Sequence, residues 1–199
     1  MRHVVRASNI LLDPPPSKIT IRGTDFEVDS DFRTAIRFTQ LMQDNTVDDF
    51  TKIDIALYMF LGDVSVPDLW AAVTELLSFY RCGKPAITDE SDDPNPTAKR
   101  VYDFEYDAEL IYAAFLEQYG IDLQTCGALH WWQFRALFSG LSDKTEFMKV
   151  VGYRSIPITA NMSREEKRRY QKLKTLYALP DNRTEEEKES AFARSLMQL

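Results

Sequence analysis

The sequence predicts a mainly α protein, with a small N-terminal β-hairpin followed by two helical subdomains joined by an acidic flexible linker. Three observations predict this fold class. Apolar residues recur at steps of three and four through most of the chain, as in amphipathic helices. One short stretch near the start alternates apolar and polar residues, as strands do. Residues 84–99 contain three prolines and the acidic run Asp89–Asp93 without any apolar period, a composition that favours a linker.

These observations divide the chain into four parts. We expect an extended segment at 1–17, a hairpin with three helices at 18–83, the flexible linker at 84–99 and a helical domain at 100–199. The segment at 1–17 contains three consecutive prolines at 14–16, which fix an extended backbone.

The first predicted domain starts with strands at Lys18–Ile21 and Phe26–Val28 around a turn. Three helices follow. The first begins near Ser30, the second is capped by Thr46 with Asp49 and ends at Gly62, and the third is opened by Ser65, Pro67 and Asp68. Their predicted inward positions are Phe32, Ile36, Thr39 and Met42, then Phe50, Ile53, Leu57 and Phe60, then Leu69, Val73, Leu76, Leu77 and Tyr80.

The second predicted domain is built on a helical hairpin. Asp107 is placed to cap its first helix, and Gly120 is placed to end it, because glycine adopts the left-handed conformation at little cost. The second helix of the hairpin carries an apolar stripe of Trp131, Phe134, Phe138 and Leu141.

Shorter patterns complete the chain. A helix at 143–152 has Phe147 and either Val150 or Val151 inward, and an extended stretch follows at 153–157. Ser163 and Glu166 form a capping box for a basic helix. Its predicted inner face is Tyr170, Leu173, Leu176 and Tyr177. Pro180 breaks that helix, and Thr184 with Glu187 caps a final one that carries Phe192, Leu196 and Leu199.

Composition restricts the function classes. The formal charge of −7 and the pI near 4.9 disfavour general nucleic-acid binding, which needs a basic surface. Two cysteines without a CxxC pair, and a start without a basic-then-apolar signal sequence, favour a reducing cytoplasm. No apolar run reaches the length of a membrane span.

The sequence contains no recognisable catalytic, cofactor or metal motif. Phosphate-binding glycine loops, HExxH and GxSxG strings are absent, so we expect no enzymatic activity, no catalytic residues and no cofactor. His130 stands beside two tryptophans but lacks a catalytic partner at motif spacing, which favours a structural role. Two scattered cysteines and one histidine do not match the paired ligands of a zinc site.

Candidate partner-binding residues are therefore aromatic or basic. The set is Trp70, Trp131, Trp132, Phe134, Arg168, Arg169 and Lys172. For the stripe that includes Trp131 and Phe134, helical spacing favours a buried core over a partner groove. The basic residues at 164–174 are interpreted as a solvated face or as ion-pair partners of Glu185–Glu187, with nucleic-acid binding as the alternative.

Several strings resemble one phage protein family. They are DFEYDAELIYAAFLEQYGIDL at 103–123, LHWWQFRALFSGL at 129–141 and GYRSI at 152–156, with NILLDPPP, DSDFRTAIRF and YALPDNRTEEEKESAF elsewhere. The family is known as gene product fifteen, encoded near the tape-measure gene of long-tailed phages.

The resemblance implies a tail assembly chaperone that keeps the tape-measure protein soluble and helps recruit tail-tube subunits. We also expect several copies per client, because weak contacts repeated along a long client gain strength from multivalency, together with residence in the host cytoplasm and absence from the mature virion. From the general pattern of such chaperones, we assign the tape-measure role to 18–83 and tube recruitment to 100–199. The alternative is a small regulatory or nucleic-acid-binding phage protein that uses the basic helix at 164–174.

Overall fold

A computed structural model of the chain describes residues 9–85 and 100–180. In these ranges the protein is mainly α, with seven helices and one two-stranded antiparallel sheet, which confirms the predicted fold class. The elements are β1 (Lys18–Ile21), β2 (Thr24–Glu27), α1 (Phe32–Gln43), α2 (Asp49–Leu61), α3 (Leu69–Tyr80), α4 (Ala108–Tyr119), α5 (Trp131–Ser139), α6 (Glu146–Ser155) and α7 (Arg164–Leu176).

Three predictions fall on undescribed residues. The described ranges exclude most of the linker at 84–99, the final helix predicted to start near Thr184 and the first half of the extended segment at 1–17. Within 9–85 and 100–180, no helix has both the length and the apolar character needed to cross a membrane.

The hairpin forms where the alternating pattern predicts it. Lys18 pairs with Glu27 and Ile21 pairs with Thr24, so the second strand starts two residues before the predicted Phe26. The turn uses Arg22 at φ 52° and Gly23 at φ 87°. Two consecutive positive φ angles match the right-handed twist of the strands. Ile19 and Ile21 point into the core.

The helix caps mostly match the predictions, with one correction. Asp68 caps α3 and Ser163 forms the capping box with Glu166. The prediction that Thr46 caps α2 is wrong. Asp48 is the cap, since its carboxylate accepts the backbone N–H groups of Phe50 and Thr51, whereas the Thr46 hydroxyl donates to Asp44.

The buried side of α2 also differs from the predicted one. The structure buries Lys52, Ala56, Phe60 and Leu61, while the predicted core residue Phe50 is 72% exposed. Lys52 can lie inside because its Nζ donates to the carbonyl of Met42, which gives the buried ammonium group a hydrogen-bond partner. In α3 the buried residues are Ala72, Leu76 and Phe79, and in α1 Met42 is exposed.

Two corrections concern the C-terminal helices. Helix α6 continues through Ser155, so the extended stretch predicted from Tyr153 begins only at Ile156, the residue whose backbone Pro157 restricts. Helix α7 buries none of its residues. Of its predicted inner face, Tyr170, Leu173 and Tyr177 are half-buried, but Leu176 is 66% exposed.

One hydrophobic cluster includes residues from both predicted domains. The rings of Phe32 in α1 and Phe134 in α5 stack with centroids 4.7 Å apart. The Nε1–H groups of Trp131 and Trp132 donate to the carbonyls of Tyr80 and Phe79, each at 2.8 Å. The segments 18–83 and 100–180 therefore pack together around a shared hydrophobic cluster.

Candidate partner-binding surface

The largest exposed apolar side chains between residues 50 and 70 lie on α2, on the following loop and at the start of α3. We name this set the α2–α3 surface; its members are Phe50, Ile55, Tyr58, Val64, Leu69 and Trp70. Phe50, Tyr58 and Trp70 are 72%, 66% and 64% exposed. Exposed apolar side chains that lie close together often mark interaction sites, so this set is the main candidate for partner contact.

Helix geometry explains why α2 exposes these residues. Phe50, Asp54 and Tyr58 follow one another at steps of four, which places them along one side of the helix. Two turns separate the first from the last, a distance of about 12 Å along the axis. The opposite side, with Ala56 and Phe60, is buried. Helix α2 therefore has one apolar side in the core and a second, mixed apolar and acidic side in solvent.

The surroundings of this surface are acidic. Residues 44–80 contain six aspartates and one glutamate against a single lysine, a formal net charge of −6. That lysine, Lys52, is buried on the opposite side of α2. Asp54 and Asp63 are exposed, and neither has a hydrogen-bond or ion-pair partner among the described residues.

Three other carboxylates in this region are engaged in local structure. The Thr51 hydroxyl and backbone hold the pKa of Asp48 below its usual range, and the Thr46 hydroxyl does the same for Asp44. The pKa of Asp68 is lowered by the backbone N–H of Ala71 and then by Arg22, whose Nη2 lies 2.6 Å from the carboxylate. All three therefore stay charged at neutral pH.

The other aromatic candidates are buried. Trp131, Trp132 and Phe134 are 2%, 5% and 0% exposed, which confirms the interpretation of this stripe as core. The Phe134 ring stacks on Phe32 and, at 5.0 Å between centroids, on Phe115. These three residues offer no surface to a partner in this conformation, and only Trp70 of the aromatic candidates does.

His130 has a structural role at the start of α5. Its Nδ1 accepts the backbone N–H of Trp132, and Nε2 lies 3.1 Å from the carbonyl oxygen of Pro16. The tautomer with its proton on Nε2 satisfies both contacts. Burial lowers the pKa of His130, against a smaller opposing effect of the Pro16 carbonyl. The neutral ring therefore caps the helix.

The basic candidates lie on the solvent side of α7. Arg168, Arg169 and Lys172 are exposed, and among the described residues none of them forms an ion pair. Helix α7 holds six lysines and arginines against two glutamates. The predicted partners Glu185–Glu187 lie outside the described ranges, so pairing with them stays a prediction.

A buried ion pair between α4 and α6 was missed by the sequence patterns. Asp107 occupies the cap position of α4, but its side chain caps nothing, which corrects the predicted role. Instead, Arg154 donates from Nη1 and Nη2 to the two oxygens of Asp107, at 2.6 and 2.8 Å. Both side chains are almost fully buried. The segments 103–107 and 152–156, which carry the resemblance strings, thus meet in one contact.

Two further features of the described residues concern possible metal ligands and a groove between helices. In the ranges 9–85 and 100–180, no three His, Cys, Asp or Glu side chains are grouped so that they could hold a metal ion. A groove of about 410 Å³ lies between α1 and α4, and its walls include Phe32, Ile36, Phe104 and Ile111. Arg33 and Glu109 also line this groove, and the Arg33 guanidinium is already bound by Asp31 and by the carbonyl oxygen of Leu123.

The profile of a family described as "Bacteriophage Gp15 protein" matches residues 11–179. This chain belongs to that family. Searches of curated proteins and of solved structures gave no match. The matched range spans every element from β1 to α7, so it contains both the α2–α3 surface and the Asp107–Arg154 pair. The family establishes a phage protein, and the resemblance inferred from the sequence strings is confirmed at that level.

Proposed function

We propose that this Gp15-family protein is a tail assembly chaperone, which binds the tape-measure protein and helps recruit tail-tube subunits around it. The observation that carries the proposal is the α2–α3 surface, a set of exposed aromatic and aliphatic side chains in a protein of a phage family. The function itself follows from the family resemblance described above. The surface supplies a physical means of performing it.

The α2–α3 surface suits an amphipathic helix as client. A helix presents apolar residues every three or four positions, so two turns of its stripe span about 11 Å. The row from Phe50 to Tyr58, about 12 Å long, is close to this length. Helix-in-groove recognition works by this kind of contact, in which several apolar anchors from one helix are covered together. A tape-measure protein, expected to be long and helical, offers many such stripes.

The two segments of the chain have different surfaces, which supports the proposed division of labour. Residues 18–83 carry the α2–α3 surface and would hold the tape-measure protein. Residues 100–199 carry the exposed basic side of α7, with Arg168, Arg169 and Lys172, and would recruit tube subunits. Several copies would bind along one client, since weak contacts repeated on a long chain gain strength from multivalency.

The proposed action is capture and release, with no chemical turnover. The protein would need no nucleotide, metal or other cofactor, would contact neither nucleic acid nor membrane, and would act in the host cytoplasm. Tube subunits would displace it as the tail assembles, so it would be absent from the mature virion.

The test is co-expression with the cognate tape-measure protein. We expect the wild-type chain to raise the soluble fraction of the client, in a complex that contains several copies by sizing. The double variant Phe50→Ala with Tyr58→Ala should lose most of this effect. Leu116→Ala on α4, where the side chain is 46% exposed, is the matched control and should behave as wild type. A client that stays insoluble at every expression ratio would refute the proposal.

A second arm tests α7. Immobilised tube protein should retain the wild-type chain, and a triple variant with Arg168, Arg169 and Lys172 changed to glutamine should bind less. The alternative function, nucleic-acid binding through the same helix, predicts a gel shift that disappears steeply with added salt. Retention of nucleic acid without retention of tube protein would favour that alternative.

A further inference from the structure

We infer that the α2–α3 surface selects client helices whose apolar stripe is flanked by lysine or arginine. This inference rests on the proposed function and adds the chemistry of the segment that is recognised. The evidence is the juxtaposition of exposed apolar side chains and uncompensated carboxylates on α2 and the loop after it.

The first step is the position of Asp54. It lies between Phe50 and Tyr58 in the same row on α2, so a helix that covers both rings also covers or adjoins this carboxylate. Asp63 stands beside Val64 in the loop that follows. Because neither carboxylate has a partner among the described residues, a client with glutamates beside its stripe would bring like charges together. A client with lysines there would supply the missing counter-charges.

The second step is the absence of competing cations in this part of the chain. Between residues 44 and 80 the only basic residue is Lys52, whose Nζ is held by the carbonyl of Met42 inside the fold. Arg22, on the hairpin turn, is already paired with Asp68. Neither Lys52 nor Arg22 therefore pairs with Asp54 or Asp63, and an external cation can do so.

The third step concerns how much the charges contribute to the affinity for a client helix. Exposed ion pairs are individually weak, so charge sets the choice among clients while the apolar contacts supply most of the affinity. Two such pairs should favour a lysine-flanked helix over a glutamate-flanked one by about fivefold in Kd. A moderate preference of this kind suits a protein that must bind at many places and later be displaced.

The experiment uses two labelled peptides of about 18 residues, a length that supports a helix. Both carry the same leucine and phenylalanine stripe; one has lysines beside it and the other has glutamates. Fluorescence anisotropy with the full chain should give the tighter Kd for the lysine peptide. The difference should shrink when salt rises from about 0.1 M to about 1 M, because the Debye length falls from about 10 Å to about 3 Å.

Two double variants identify the surface. Asp54→Asn with Asp63→Asn should remove the preference and leave the glutamate peptide bound at least as well as before. Leu116→Ala with Glu117→Gln changes one exposed apolar and one exposed acidic residue on α4, and should leave both Kd values unchanged. Thermal melting of each variant shows whether the fold is intact.

Three outcomes would overturn the inference. Equal Kd values for the two peptides would exclude charge selection. An unchanged preference in the Asp54 and Asp63 variant would place the charge recognition elsewhere. Self-association of the chain that is abolished by Phe50→Ala with Tyr58→Ala, without any peptide binding, would assign the surface to a second copy. In the first two cases the chaperone proposal stands if co-expression still solubilises the client. If the chain prefers the lysine peptide but the co-expressed client stays insoluble, only the chaperone proposal is refuted.

Discussion

Replacing Arg154 by methionine should be among the most destabilising single changes in this protein. The guanidinium makes four contacts at once. Besides its two bonds to Asp107, it donates from Nε to the carbonyl of Tyr177 at 2.6 Å and from Nη1 to the carbonyl of Val101 at 3.1 Å. It thus joins α4 and α6 to the end of α7 and to the chain that leads into α4. Methionine keeps much of the apolar stem and removes every donor.

The magnitude follows from burial. The side chains of Arg154 and Asp107 are 6% and 1% exposed, so the variant leaves a carboxylate inside the fold with only the backbone N–H of Asp103, at 2.9 Å, to replace water. Removal of one partner from a buried pair costs about 3 to 5 kcal/mol. The free energy of unfolding from urea titration should fall by that amount, a large share of the total for a domain of this size.

A matched control lies on the same helix. Lys149 pairs with Glu146 at 3.3 Å, with side chains 45% and 56% exposed, and Lys149→Met should cost less than about 1 kcal/mol. In the double variant Arg154→Met with Asp107→Asn, the loss should be smaller than the sum of the two single losses, because the stranded charge is gone. If Arg154→Met cost no more than Lys149→Met, the reasoning from burial would be refuted.

Three further predictions concern the core, a cap and pH. Phe134→Ala should lower the free energy of unfolding by about 3 to 5 kcal/mol in urea titration, since the ring is fully buried among other rings; a loss below about 1 kcal/mol would place it outside the core. Asp48→Ala should lower the melting temperature more than Thr46→Ala, because only Asp48 accepts backbone N–H groups of α2; the reverse order would restore the sequence prediction. Burial holds the pKa of His130 below its ordinary 6.5, so the unfolded chain takes up the proton first. The stability that the neutral ring contributes is then present above pH 6.5, and it is lost as the pH falls below 6.5 and through the lower pKa of the folded state. His130→Asn keeps a capping oxygen and should reduce the loss between about pH 8 and about pH 5 in urea titrations; equal losses in both proteins would contradict this role.

Local signals explain the parts of the fold that the sequence predicts well. The turn at Arg22 and Gly23, the capping box at Ser163 and the stop at Gly120, with φ 65°, depend on residues within a few positions of each other. The aromatic stripe of α5 is also local, because its spacing alone marks one side of a helix. Such features need no knowledge of what packs against them.

The Asp107–Arg154 pair shows why other features cannot be predicted this way. The two residues are 47 positions apart, and the local patterns give them unrelated roles: Asp107 is predicted as a helix cap, and Arg154 lies in the stretch predicted to be extended. Only the packing of α6 against α4 decides between these roles and the buried pair. The choice between Asp48 and Thr46 as the cap of α2 could not be predicted either. Both are preferred cap residues, and both lie within one turn of the helix start.

The exposed row on α2 has a related origin, and it joins the fold to the proposed function. Apart from Thr51, Lys52 and Asp54, the helix from Phe50 to Leu61 is apolar on every side, so its periodicity does not identify which side meets the core. A helix of that kind is normally buried all round. Here the core accepts only the side with Ala56 and Phe60, and the rings of Phe50 and Tyr58 remain in water. Exposed rings give a monomer no stability, because they stay hydrated in the folded and unfolded states alike, and they raise the risk of aggregation. Asp54 between the two rings opposes self-association by charge and leaves the row open to a cationic helix. A surface that is apolar enough to bind a helix and acidic enough to repel its own copies is what a soluble chaperone for a long helical client requires.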